Sequence, residues 1–232
     1  MANILLLGAS GLVGGECLRI ALDHHDIGRV VAPTRRPLLA HPKLLNPVSP
    51  TLESLIPEVA GWEIEAGICA LGTTRKKAGS DEALRHVDYE LPLSFARAAR
   101  DARANAFAVV TSIGASRSSW LFFGRIKGEL ERDLKTVGFP SLTILRPMFL
   151  DGERAELRRG EAAVVAMAKV FELLLPRGLH VNRASTVAHR LVDAVIQPRA
   201  GVRVISSREL AGTYDGNETL TDRRERIRNA GT

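Results

Sequence analysis

Short apolar runs alternate along the chain with stretches whose apolar residues recur at helical spacing. Residues 3–7 are apolar after Asn3, as in a strand buried on both faces, and residues 12–22 carry apolar side chains one helical turn apart. The pattern predicts further strands at residues 29–32, 44–48, 64–71, 107–112, 142–145 and 202–206. Helices are predicted at residues 80–103, 122–137, 161–174 and 185–196, with a short one in the proline-rich stretch 37–60.

This alternation predicts an α/β fold of the Rossmann type, with a doubly wound, mostly parallel sheet and helices on both faces. No internal repeat and no linker interrupts it, so we expect residues 1–215 to form a single domain. Residues 216–232 are polar and charged and have little to bury, which indicates a flexible tail. No window approaches the ~18 apolar residues of a membrane-spanning helix, so no membrane association is expected.

Composition and charge narrow the range of partners. The 32 basic and 26 acidic residues give a formal net charge of +6. This charge favours an anionic cofactor over nucleic acid, because no aromatic residues are interleaved with the basic ones to stack on bases. The six histidines show no metal-ligand spacing, and Cys17 and Cys69 lie in apolar runs without a C-x-x-C pair. We therefore expect no metal site, no disulfide, and reduced core thiols in a cytoplasmic protein.

A glycine-rich turn follows the first strand and opens the first helix. In the string GASGLVG, Gly8, Gly11 and Gly14 stand three residues apart. The first glycine permits the tight turn, the second lets a phosphate approach the backbone, and the third lets the helix pack on the strand. The helix N-terminus then favours the pyrophosphate of a dinucleotide, so we expect an NAD(P)-binding domain. The predicted contacts are Gly8, Ser10, Gly11, Leu12 and Val13.

The end of the second strand indicates which nucleotide binds. Sites that prefer NAD carry an acidic residue here, which accepts hydrogen bonds from the ribose hydroxyls. This chain instead reads APTRRP, and the guanidinium groups of Arg35 and Arg36 can pair with a 2′-phosphate. Together with Thr34 they predict an NADP(H) site. The alternative is a solvated basic loop.

Three more strand ends converge on the crevice where ligands bind in open α/β sheets. The fourth strand ends in CALGTT, whose glycine lets the backbone pass close to a ribose and whose threonines offer hydroxyls. The fifth strand ends in VTS and the sixth in RPM. The cofactor contacts predicted at these ends are Leu71, Gly72, Thr73, Thr74, Thr111, Pro147 and Met148.

The residues assembled so far resemble the atypical branch of the short-chain dehydrogenase/reductase superfamily. The runs CALGTTRKKAG, VDYELPLSFARAAR, VVTSIGASRSSWLFFGRIKGELE and ILRP are similar to the Tat-interacting oxidoreductase-like proteins. They are also similar to bacterial relatives labelled nucleoside-diphosphate-sugar epimerase-like. The resemblance spans about residues 3–215 and implies a Rossmann fold, NADP(H) binding and a catalytic Ser-Tyr-Lys set.

Carried over position by position, the resemblance assigns Ser112 as the serine that polarises a substrate carbonyl. Lys127 matches the lysine that holds the nicotinamide ribose and lowers the pKa of the tyrosine. Asp88 matches an aspartate at a helix start that contacts the cofactor, although helix capping explains it equally well. The tyrosine position is Phe123, whose phenyl ring can neither give nor take a proton. General acid–base catalysis contributes about 10²–10⁴-fold, so the rate should fall by that factor unless another group substitutes.

Two functions follow from this departure. The first is an NADP(H)-binding oxidoreductase-like protein that acts on an unidentified small carbonyl or alcohol, with impaired or altered acid–base catalysis. His180 or an ordered water could then replace the tyrosine. The second is a non-catalytic, NADP(H)-responsive regulatory or binding protein of the NmrA-like kind, which Phe123 favours. A sugar-nucleotide epimerase would need the tyrosine too, a nucleic-acid binder rests on net charge alone, and a homodimer is the default for this fold.

Overall fold

The computed structural model describes residues 1–148, 150 and 182–211 of the chain. Within these residues one parallel sheet of seven strands runs in the order β3-β2-β1-β4-β5-β6-β7. The predicted Rossmann-type fold is confirmed, and the sheet is parallel throughout. The strands are β1 (Ala2–Leu7), β2 (Ile27–Val31), β3 (Leu44–Leu45), β4 (Ala66–Cys69), β5 (Ala106–Val110), β6 (Ser141–Arg146) and β7 (Gly201–Ser206).

Helices cover both faces of the sheet. A 3-10 helix spans Leu52–Trp62, and one turn of π-helix, His86–Glu90, joins α3 to α4. None of the helices in the described ranges is long and apolar enough to cross a membrane. The predicted helix at 161–174 and the predicted tail at 216–232 lie outside these ranges. The α-helices are α1 (Leu12–Asp23), α2 (Arg75–Ala78), α3 (Asp81–Arg85), α4 (Leu91–Asp101), α5 (Phe122–Val137), α6 (Ala184–Ile196) and α7 (Ser207–Ala211).

The core consists of two apolar layers, one on each face of the sheet. Along β1, Ile4 and Leu6 pack in the layer that α1 and α6 cover, whereas Leu5 and Leu7 pack in the layer under α4 and α5. Successive side chains of a strand point to opposite faces, so a strand covered on both sides must be apolar at every position. This accounts for the unbroken apolar run at the start of the chain.

Two predicted elements are shorter than expected. The strand predicted at 44–48 pairs only at Leu44–Leu45, with one further bridge between Thr34 and Val48. Pro47 has no N–H to extend the ladder, and the side chain of Asn46 instead donates to the Ala32 carbonyl at 2.6 Å. The helix predicted at 80–103 is likewise divided, because the π-helical turn interrupts it before α4 begins.

Candidate functional site

The glycine-rich turn between β1 and α1 is held by backbone contacts that exclude side chains. Gly8 has a φ of +86°, and a Cβ there would lie 2.6 Å from the carbonyl oxygen of Ala70. A Cβ on Gly14 would lie 1.9 Å from the Gly8 carbonyl oxygen. Gly11 caps α1 without a side chain, and the first turn of α1 carries no acidic residue. The first amide groups of the helix are therefore available to an anion.

The loop after β2 places two arginines beside this turn. Thr34 is buried; its hydroxyl donates to the Arg36 carbonyl at 2.7 Å and accepts from the side-chain amide of Asn46 at 2.8 Å. The hydroxyl of Thr34 is thus engaged inside the loop and fixes its shape. Arg35 and Arg36 are both exposed at the carboxyl end of the strand. An acidic side chain is absent from this strand end, as the sequence indicated.

The loop after β4 joins the glycine-rich turn to the other half of the site. The Thr74 hydroxyl accepts from the backbone N–H of Lys77 at 3.3 Å and caps α2. The backbone N–H of Thr73 donates to the carboxylate of Asp88 at 2.9 Å. A Cβ on Gly72 would lie 3.6 Å from the same carboxylate. The loop therefore lies directly over Asp88.

Asp88 and Lys127 form a buried ion pair. The Lys127 ammonium lies 2.7 Å from Oδ1 of Asp88, and the two side chains are 3% and 0% exposed. The resemblance implied that Asp88 stands at a helix start, but the residue lies inside the π-helical turn, and Ser80 caps α3. Helix capping therefore does not explain the aspartate. Single π-helical turns are frequent at functional sites.

Phe123 stands where the resemblance implies a tyrosine. Its side chain is 38% exposed, and the Lys127 ammonium lies 5.7 Å from the centre of its ring. Tyr89 is no substitute for it, because its hydroxyl donates to Asp133 at 2.8 Å and burial, followed by that hydrogen bond, raises its pKa. Tyr214 and His180 lie outside the described residues.

Ser112 follows β5 by two residues. Its Oγ is buried and has no hydrogen-bond donor or acceptor beside it within the described part of the chain. The loop that follows is fixed on α5 at two glycines: the Ser116 N–H donates to the Gly124 carbonyl at 3.1 Å. A Cβ on Gly128 would lie 2.4 Å from the Ser116 carbonyl carbon. An orphaned buried hydroxyl in a fixed loop is typical of a site that a ligand completes.

The sequence did not single out Glu131, which ties α5 to two strand ends. Its buried carboxylate accepts from the Thr111 hydroxyl at 2.7 Å and from the Arg146 guanidinium at 2.9 and 2.5 Å. The hydrogen bond to Glu131 raises the pKa of Arg146. Glu131 lies four residues after Lys127, so both side chains share one face of α5. Two features of the sequence could have indicated this pair: the four-residue spacing of Glu131 from Lys127, and Arg146 at the end of an apolar strand.

A second buried polar side chain that the sequence analysis did not single out, the amide of Asn182, anchors the end of β6. The side chain of Asn182 accepts from the Met148 N–H at 3.0 Å and from the Ser207 hydroxyl at 2.8 Å. Its amide nitrogen donates to the Ser207 carbonyl at 3.1 Å. The Pro147 carbonyl accepts from the Ile113 N–H at 2.9 Å. The polar backbone groups at this strand end are therefore used within the fold.

Within the described ranges, the two cysteines and the adjacent pair His24 and His25 add no reactive group to the site. Cys69 lies at the end of β4, where burial raises the pKa of its thiol to about 11, and burial raises that of Cys17 to about 12. His24, His25 and Asp26 offer ligand atoms within 4.8 Å of one another at the far end of α1. These side chains already contact one another or the nearby backbone. The Nδ1 of His24 accepts a hydrogen bond from the Asp26 N–H, and the Nε2 of His25 contacts the Asp26 carboxylate.

Comparisons with known proteins agree with this architecture. A profile of the HIM1 family matches residues 46–182. "Protein fmp52, mitochondrial" from Aspergillus clavatus is 37% identical over 171 residues, which cover 71% of this chain and 73% of that protein. A short-chain dehydrogenase/reductase structure from Saccharomyces cerevisiae gives a TM-score of 0.69 at 14% identity, over 88% of this chain and 96% of that one. WbmH from Bordetella bronchiseptica, in complex with NAD+, gives 0.66 at 14% identity, over 89% and 76%.

These matches confirm one expectation and overturn another. The resemblance to atypical short-chain dehydrogenases/reductases is confirmed at the level of the fold. The expected cytoplasmic location is wrong, because the Aspergillus relative is named as a mitochondrial protein. That expectation rested on reduced cysteines, and buried thiols with raised pKa values are inert in any compartment. The HIM1 profile matches more than half of the length of this chain, and the Aspergillus clavatus relative is 37% identical to it. The chain therefore belongs to the HIM1 family.

Proposed function

We propose that this protein binds a nicotinamide dinucleotide, NADP(H) in preference to NAD(H), and acts with it as an oxidoreductase on a small carbonyl or alcohol. The observation that carries the proposal is the start of α1, where Gly11 caps the helix without a side chain beside the close contacts of Gly8 and Gly14. Helix N-termini of this construction bind phosphate groups. The NAD+ complex of WbmH, which shares the fold, supports the same site.

The residues at the strand ends are suited to such a cofactor. Arg35 and Arg36 are exposed where an adenosine 2′-phosphate would lie, and no carboxylate opposes them at that strand end. At the other end of the crevice, the Oγ of Ser112, which has no partner among the described residues, can donate to a substrate carbonyl. The buried ammonium of Lys127 lies beside the loop after β4 through its contact with Asp88.

The missing phenol limits the rate of turnover. When bound, the nicotinamide supplies or accepts the hydride. Ser112 then polarises the carbonyl oxygen, and Lys127 is held beside the site by its ion pair with Asp88, but Phe123 provides no proton. The proton has to come from water or from another side chain such as His180, so we expect slow reduction or oxidation in the wild-type protein.

Calorimetric titration tests the cofactor site. The wild-type protein should bind NADPH more tightly than NADH, and Arg35→Ala/Arg36→Ala should lose about tenfold or more in NADPH affinity, because hydrogen bonds to charged groups contribute about 1.5–3 kcal/mol. NADH binding should stay unchanged. Arg29→Ala/Arg97→Ala removes two exposed arginines elsewhere and serves as the control for net charge. Equal affinities for NADPH and NADH would overturn the NADP(H) preference, and binding of neither would overturn the whole proposal.

A second candidate function is a cofactor-responsive binding protein without turnover. The observation that favours it is the apolar surface of segment 113–123, where Trp120 is 86% exposed and Ile113, Leu121 and Phe123 are also exposed. Exposed apolar residues next to a ligand site mark interaction surfaces. If this function is correct, the amount of a protein partner captured by the wild-type protein should change when NADPH is added, and Trp120→Ser should capture none. Capture that is indifferent to NADPH contradicts it.

A further inference from the structure

We propose that the Asp88–Lys127 ion pair sets the relative affinity of the site for the oxidised and the reduced cofactor, with Asp88 as the specificity-determining residue. The inference rests on the proposed cofactor binding. It assigns to the pair a task that the substrate chemistry does not include, namely to decide which redox form occupies the site.

The pair is placed to act on the nicotinamide end of the site. Asp88 accepts the Thr73 N–H at 2.9 Å, and its Oδ1 lies 2.7 Å from the Lys127 ammonium. A Cβ on Gly72 would lie 3.6 Å from the carboxylate, so the loop after β4 lies directly against the pair. On the other side the Lys127 ammonium lies 5.7 Å from the ring centre of Phe123.

The two redox forms of the cofactor differ by one charge at this place. The oxidised nicotinamide ring carries a positive charge, and the reduced ring is neutral. An isolated ammonium at Lys127 would therefore oppose the oxidised form alone. Because both side chains are removed from water, their charges are weakly screened and the effect extends over several ångströms. With Asp88 present the pair is neutral as a unit, and this opposition is cancelled.

Among the residues that the structure describes, neither of the two nearest candidates performs the same task. Phe123 has no phenol to ionise, and the neighbouring carboxylate of Glu131 is already neutralised by Arg146. The pair contributes little net stability to the fold, because the free energy of removing two charges from water is about as large as the attraction between them. The π-helical turn that directs Asp88 inward adds to that cost by disturbing the helical hydrogen bonds. A role in charge balance explains why both groups are present.

The experiment compares dissociation constants for NADP+ and NADPH by calorimetry in four proteins: wild type, Asp88→Asn, Lys127→Met and the double variant. Asp88→Asn, measured at pH 6, should raise the ratio of the NADP+ constant to the NADPH constant about tenfold. Lys127→Met, measured at pH 8, should lower that ratio about tenfold because the carboxylate is left alone. The double variant should return close to the wild-type ratio. Each variant is compared with the wild type at the same pH.

Glu129→Gln is the matched control, because it removes one negative charge from the exposed side of α5 and should leave the ratio unchanged. Asp88→Asn keeps an oxygen for the Thr73 N–H, and if it nevertheless fails to fold, the opposite shift in Lys127→Met still decides. Single variants that weaken both redox forms equally overturn the inference and leave cofactor binding intact. A wild-type protein that binds neither form overturns the proposed function and the inference with it.

Discussion

The two ends of the candidate site are built in opposite ways. At the phosphate end, backbone approaches backbone: the contacts of Gly8 and Gly14 leave no room for a side chain, and the start of α1 carries no capping group. At the end proposed to hold the nicotinamide, two ion pairs involve α5: Asp88 and Lys127 are both buried, and the buried Glu131 carboxylate binds the partly exposed Arg146. The first end depends on shape within one short segment. The second depends on charge balance among residues brought together from distant segments.

The largest effect is expected from Phe123→Tyr, which restores the phenol hydroxyl that the resemblance implies at this position. Phe123→Tyr adds a hydroxyl to a ring whose centre lies 5.7 Å from the Lys127 ammonium, which is within the range of cation–π contact. We expect the rate of NADPH oxidation with small aldehydes and ketones, followed at 340 nm, to rise about 10²–10⁴-fold over the wild type.

The neighbouring position supplies the control for this gain. Phe122→Tyr adds the same hydroxyl one residue earlier on α5 and should leave the wild-type rate unchanged. If Phe123→Tyr binds NADPH normally but turns over no member of the substrate panel, the oxidoreductase proposal fails and the cofactor-responsive binding protein is favoured.

The next effect breaks the phosphate end. Gly14→Ala would put a methyl group 1.9 Å from the Gly8 carbonyl, which forces the helix away from the strand. We expect the free energy of unfolding to fall by up to about 3 kcal/mol and NADPH binding to weaken at least tenfold. Urea unfolding and calorimetry measure the two effects.

Gly15 offers a sharp contrast one residue later. A Cβ there meets only the Ala9 carbonyl oxygen at 3.6 Å, which is an ordinary contact, so Gly15→Ala should stabilise α1 by about 0.5–1 kcal/mol. Equal losses of stability in the two variants would contradict the role assigned to Gly14.

The same contrast explains what the sequence could predict. The strands lie within a few residues of their predicted bounds. The glycine-rich turn could be predicted because the glycines that shape it lie within the short segment from Gly8 to Gly14. The contacts of Glu131 could not be predicted from the sequence, because its partners Thr111 and Arg146 are 20 and 15 residues away along the chain. The resemblance implied a helix start at Asp88, which is wrong because a π-helical turn interrupts the helix predicted at 80–103 and includes this residue.

A third, smaller effect tests the charge pairs at the nicotinamide end. Glu131→Gln removes the charge that binds Arg146 but keeps an oxygen for the Thr111 hydroxyl. Arg146 is partly exposed and stays hydrated, so we expect a loss of about 1–2 kcal/mol in the free energy of unfolding. Glu129→Gln breaks a surface pair with Arg85 on the same helix and should cost less than about 1 kcal/mol. Losses of equal size would mean that burial of Glu131 contributes nothing.

The smallest effect depends on pH and belongs to the turn that carries Asp88. His86 begins this turn, and its pKa is raised by a hydrogen bond to Glu90 and by the charge of Glu53 in the 3-10 helix. A histidine with a raised pKa stabilises the folded protein fully below its unfolded pKa of about 6.5, and the contribution is lost as the pH rises through the folded pKa. His86 is partly exposed, so we expect only a few tenths of a kcal/mol between pH 5.5 and 8. His86→Gln should remove that difference in urea unfolding, whereas the exposed His41→Gln should retain it; an unchanged pH dependence in His86→Gln would show that this contact does not support the turn.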